Sequence, residues 1–179
     1  MIEPLRKHRK DGRLYERRAE TTAILTQLES LPSDQLAERA KIRAKTDPLY
    51  LPSECLLHFI RRSKRDNSDR FFESLFRILL ARVESAATLR SEIYRRPNGK
   101  IAITTFGTKV RDHVVDRFLA RLITDRNGYD ERLDYFEVNF SHAIASLRAT
   151  AKRKAADEEK RSQPLSADDD EEVLIATEN

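Results

Sequence analysis

Apolar residues recur at helical spacing along most of the chain, most plainly between Thr108 and Lys154. Val110, Val114, Val115, Phe118, Leu119 and Leu122 fall on one stripe of a helix. Asp125-Arg126-Asn127-Gly128 reads as its break, with Gly128 suited to the positive φ of a C-terminal cap. A second helix is expected from about Asp130, carrying Leu133, Phe136, Phe140, Ile144, Leu147 and Ala151 three or four residues apart. It closes on Arg148, Lys152, Arg153 and Lys154, cations that suit the negative end of a helix dipole.

Upstream the pattern continues. Asp11 is a candidate cap for a first helix containing Leu14, Ala23, Ile24, Leu25 and Leu28, after ten residues expected to be disordered. Leu31-Pro32 ends it, and Ser33 or Asp34 caps a thin second helix over 35–45, the two packing as a hairpin in preference to forming a mobile arm. Pro48 and Pro52 punctuate the entry to the main domain, and Ser53 reads as the cap of a helix through Leu56, Leu57, Phe59 and Ile60. Asn67-Ser68-Asp69 caps the next, whose broad apolar face (Phe71, Phe72, Leu75, Phe76, Leu79, Leu80, Val83) marks the central core helix. One β-prone run, Ile101 to Phe106, follows the turn at Pro97-Asn98-Gly99 and reads as a connector or minor hairpin arm. The fold class expected is all-α, a helical bundle. It divides into a basic N-terminal extension (1–50), a helical domain (51–154) and a disordered acidic tail (155–179).

Composition supports that reading. Of 179 residues, 36% are charged and only 4 are Gly, which favours a charge-covered helical protein over a sheet protein. No apolar run approaches membrane-spanning length, and the first residues lack a signal-peptide core. Cys55 is the only cysteine, so no internal disulfide forms and a cytoplasmic setting is expected. The net charge of +4 is unevenly spread: nine acids and two bases follow Lys154, a net of −7, leaving +11 on residues 1–154. A basic body with an acidic tail fits a polyanionic partner, and equally a helical protein whose charges are simply solvated.

Candidate chemistry is sparse. The four glycines are isolated, the histidines lack paired ligand spacing, and no nucleophile elbow or His-Glu-x-x-His occurs. Asp112 and Asp116 share a helix face, but Arg111 and Arg117 are adjacent, so a solvated or partner-binding face outweighs an acid/base pair. Cys55 and His142 read as a buried small hydrophobe and a surface residue. No enzyme, metal or cofactor is expected. Tyr129 and Tyr135 at the start of the last helix are not needed by its apolar stripe and are free to face outward. There they could stack on unpaired bases, each worth about 1–3 kcal/mol, while Arg148, Lys152, Arg153 and Lys154 hold phosphate. The competing reading has both rings covering the core edge.

These residues carry a family likeness. Asp112 to Leu119 resembles the helix of bacterial sigma-70 family factors that grips the RNA polymerase clamp, and Tyr129-Asp130-Glu131-Arg132 resembles the turn that follows it in extracytoplasmic-function members. Phe136, Val138, Ala143, Leu147 and Arg148 resemble the promoter-melting helix, and Asp69 to Phe76 the opening helix, so the likeness spans about residues 53–154 and is to region 2. It departs in Val115, where the family has Gln, in lacking the promoter helix's Trp and Asn, and in an insertion over about 83–108. No C-terminal helix-turn-helix domain is expected after Lys154, so a second protein would supply it. The resemblance implies binding to RNA polymerase core through Asp112, Val115, Asp116 and Leu119. It also implies binding to promoter DNA through Tyr129, Tyr135, Arg148, Lys152, Arg153 and Lys154. The alternative is a helical protein–protein adaptor with no nucleic-acid binding, its acidic tail masking the basic body or mimicking DNA.

Overall fold

The computed structural model describes residues 2–63 and 69–162. It contains seven α-helices among those residues: α1 Ala19–Leu28, α2 Ser33–Ala40, α3 Ser53–Ser63, α4 Asp69–Ala87, α5 Thr105–Asn127, α6 Asp134–Val138 and α7 Phe140–Ser162. A two-stranded antiparallel hairpin, β1 Ile93–Arg95 and β2 Ile101–Ile103, interrupts the series between α4 and α5. The fold is a helical bundle, as the apolar periodicity predicts.

α4 is central, touching α2, α3, α5 and α7. Its Leu75, Leu79, Val83 and Ala87, one face at spacings of four, are fully buried. α5 supplies Val110, Val114, Phe118 and Leu122 from the opposite side, and the rings of Phe118, Phe136 and Phe140 meet at centroid distances of 5.6–6.1 Å. The edge-on and tilted geometries suit the ring quadrupoles. Leu25, Leu28, Leu36 and Ala40 join the same core, so α1 and α2 are packed into the bundle.

Several sequence expectations are corrected. The segment before α1 is neither helical from Asp11 nor loose. Asp11 instead accepts from Arg13 N at 3.1 Å, Gly12 takes φ 82°, and a tight reversal pairs His8 with Leu14. Leu5 is buried beneath it. α2 stops at Ala40 rather than Lys45, and α1 packs on α3 while α2 packs on α4. Arg82 of α4 donates to the Leu51, Ala40 and Ile42 carbonyls at 2.6, 3.3 and 3.4 Å, fastening this N-terminal segment to the central helix. The cap expected at Asn67-Ser68 lies outside the described residues.

The stretch read as one helix from Asp130 is three pieces. A 3-10 turn at Glu131–Leu133 leads into α6, and α7 starts afresh at Phe140. Asn139 causes the break: its side chain accepts from His142 N at 3.2 Å, and Glu54 accepts from Phe140 N at 3.0 Å, satisfying amides at the new helix start. α5 runs on to Asn127, and Gly128 is extended at φ −177°, not left-handed. α7 continues past Lys154 to Ser162 with Ala155 fully buried, so the helical domain extends beyond the expected boundary. The tail from residue 163 lies outside the described residues.

The hairpin meets α5 at Gly107. Thr104 caps α5 by accepting from Gly107 N at 3.0 Å, and a Cβ on Gly107 would sit 2.8 Å from Glu92 Cβ and 3.0 Å from Ile103 Cγ2. Gly107→Ala should therefore push the hairpin base off α5, at about 1–3 kcal/mol, the usual cost of overpacking. Thermal melting checks this: an unchanged midpoint would mean that the hairpin yields freely.

Candidate functional site

α5 presents two different sides. One is buried, as above. The other carries Asp112 and Asp116, both exposed, with Val115 and Leu119 half-buried beside them and Ile123 62% exposed one turn on. Positions 112, 115, 116, 119 and 123 are three or four apart and share one face. The four residues expected to bind polymerase are thus together on one accessible strip, acidic at one end and apolar at the other. Arg111 pairs with Asp112 at 2.8 Å, whereas Asp116 has no ion-pair partner among the described residues. Ile123 extends the strip beyond the sequence stripe, which ends at Leu122.

The residues expected to bind DNA are dispersed. Arg148 donates to Ala86 O at 3.1 Å, capping the C-terminal end of α4, and Lys152 Nζ lies 3.9 Å from Glu92 Oε1 at the hairpin base. Arg153 and Lys154 are exposed further round α7, Lys154 lying 3.7 Å from Glu158. They border a cleft of about 360 Å³ between α5 and α7 that also takes in His113, Asp116 and Arg117. Part of the polymerase set and part of the DNA set therefore meet across this cleft.

Neither tyrosine is the free outward ring suggested by the sequence. Tyr129 is half-buried between two guanidinium groups, Arg6 at 4.3 Å and Arg61 at 4.4 Å from the ring centroid. Its hydroxyl donates to Asp134 at 2.5 Å, and burial first, then that bond, raises its pKa above the usual phenol range. Tyr135 meets Tyr15 edge-on at 5.7 Å and shares a 2.8 Å hydrogen bond with His142. Arg6 and Tyr15 both belong to the N-terminal segment, which therefore lies against both rings.

Beneath Tyr129 lies a buried charged cluster that sequence reading missed. Arg61 on α3 donates to Asp134 at 2.9 Å, Glu137 at 2.7 Å and Asp125 at 3.0 Å. Arg17 reaches the other oxygen of Glu137 at 2.6 and 2.8 Å, and His58 Nδ1 lies 3.2 Å from that oxygen. Asp134 also accepts the main-chain amides of Arg6 and Lys7, each at 2.8 Å. Burial pushes the Glu137 carboxyl up, but the hydrogen bond with His58 and the charges of Arg17, His58 and Arg61 outweigh it, leaving a pKa of about 2. Burial likewise opposes the charge on Arg61, and the Glu137 and Asp125 carboxylates more than restore it. With every carboxylate paired, the cluster works as a fastener joining the N-terminal segment, α3, α5 and α6.

Other candidate chemistry is quiet. Cys55 is fully buried, and burial, then the nearby Glu54 and Glu137 charges, pushes its thiol up to about 12, far from a reactive thiolate. No group of His, Cys, Asp and Glu among the described residues is arranged to hold a metal, and no described helix is long and apolar enough to cross a membrane. Comparison with protein families, curated proteins and solved structures finds no match for this chain.

Proposed function

We propose that the chain is a sigma region 2-like docking module that binds bacterial RNA polymerase core through the exposed face of α5. The observation that carries this reading is the strip Asp112, Val115, Asp116, Leu119 and Ile123, which the bundle leaves accessible although it continues the helix of the main core. Acidic residues flanking a narrow apolar row suit a basic, partly apolar groove on a protein partner. The strip coincides with the residues that resemble the family's clamp-gripping helix. DNA contact in this reading falls to Arg153 and Lys154 across the adjacent cleft; Tyr129 and Tyr135 take part only after Arg6 and Tyr15 leave their rings.

The covering of both tyrosines by the N-terminal segment favours a second reading, a protein adaptor that does not touch nucleic acid. One experiment separates them. Core RNA polymerase is pulled down with the full chain and with an Asp112→Arg/Asp116→Arg double variant. Both aspartates are exposed, so the variant should melt as the parent does and bind about tenfold or more weakly, a difference of about 1.4 kcal/mol or more. No binding by the parent would sink the polymerase reading. Binding by both proteins alike would move the interface off α5.

A further inference from the structure

The hairpin is largely exposed. Strand register places Ile93, Arg95, Ile101 and Ile103 on one face of the ribbon. Ile103 turns toward Gly107, but Ile101 is 71% exposed, and Ile93 and Tyr94 are also open. Arg90, Arg95, Arg96 and Lys100 are all exposed, and none has an ion-pair partner among the described residues. The one acid between 90 and 104, Glu92, is buried and turned to Leu89 N and Lys152. A two-stranded ribbon with bare edges and open isoleucines is marginal alone and gains from a further covering segment.

From these features we infer that the ribbon is the docking surface for the chain's own acidic segment, Asp168 to Ile175. That segment reads Asp-Asp-Asp-Glu-Glu-Val-Leu-Ile, five consecutive acids followed by three aliphatic residues with strand-forming side chains among them. It complements both features of the ribbon, the acids meeting Arg95, Arg96 and Lys100, the aliphatic trio meeting Ile93 and Ile101. A nucleic acid would answer the cations and Tyr94 but leave the isoleucines uncovered.

Reach permits it. α7 passes the base of the hairpin at Lys152, whose Nζ lies 3.9 Å from Glu92 Oε1. Ser162 lies ten residues beyond Lys152, about 15 Å along the helix, and residues 163–167 span up to about 17 Å when extended. That length is enough for the acidic run to return to the hairpin base at the high effective concentration of a tethered ligand. This inference stands independently of any polymerase or DNA partner.

The test uses the full chain with paired cysteines, Ile101→Cys with Leu174→Cys, and as control Ile123→Cys with Leu174→Cys. Cys55 is fully buried and does not compete. Under mild oxidation at low salt, the intramolecular disulfide at position 101 should form about tenfold or more faster than the control. The advantage should shrink in high salt and in an Arg95→Glu/Arg96→Glu/Lys100→Glu background whose melting is unchanged. Equal rates at the two positions would overturn the inference, as would a rate at position 101 indifferent to those three substitutions.

Discussion

Replacing Arg61 with alanine should cost about 3–5 kcal/mol, since it strands buried carboxylates without their shared cation. Asp125, Asp134 and Glu137 are all buried, and Arg61 donates to each of them. For a domain whose whole stability is about 5–15 kcal/mol, that loss approaches unfolding. Urea titration of both proteins at pH 7 measures it, and a difference below about 1 kcal/mol would mean that the cluster relaxes into water. The same cluster sets the response to acid. Glu137 is held near 2 when folded against 4.5 for the free side chain. Its stabilisation is therefore complete above about pH 4.5 and fades as pH falls toward 2. Stability of the parent should drop through that window, and the Arg61→Ala variant, having lost one of the charges that depress Glu137, should show a shallower slope.

Why this cluster escaped the sequence is a matter of distance along the chain. Arg61 opens a run of bases with Arg62, Lys64 and Arg65, which reads as a solvated helix end. Its partners stand 64, 73 and 76 residues away, and nothing local shows that they converge. The N-terminal segment was hidden for a related reason: Asp134 holds it by the amides of Arg6 and Lys7, and a main-chain donor has no side-chain signature. Helical periodicity, by contrast, is a local signal. The stripes of α4 and α5 and the core place of Phe136 were therefore legible. Asn139 shows the limit of that signal. The apolar spacing runs smoothly across it from Phe136 to Phe140, yet its amide is a better cap than a helix interior residue and divides α6 from α7. Tyr129 and Tyr135 are covered by Arg6 and Tyr15 of the distant N-terminal segment, contacts that no local pattern shows.

Phe118 and Leu119, adjacent in sequence, should separate stability from docking. Phe118 is fully buried on α5 between Phe136 and Phe140, so Phe118→Ala removes a ring from the middle of the aromatic cluster. The lost transfer energy and the cavity left behind should together cost about 3–5 kcal/mol. Leu119, one residue on, is half-buried on the strip with Asp116 and Ile123. Leu119→Ala gives up only part of a side chain's burial and should change stability by about 1 kcal/mol or less. The order reverses for the partner. Under conditions where both variants are folded, Leu119→Ala should weaken core polymerase binding severalfold or more, as loss of an apolar anchor does, while Phe118→Ala should bind nearly as the parent. Chemical melts and a binding titration on the same preparations read both quantities. Should Leu119→Ala bind normally and Phe118→Ala fail while folded, recognition would depend on the α5–α7 packing rather than on the exposed strip, and the docking face would have to be sought along the cleft that Asp116 shares with Arg153 and Lys154.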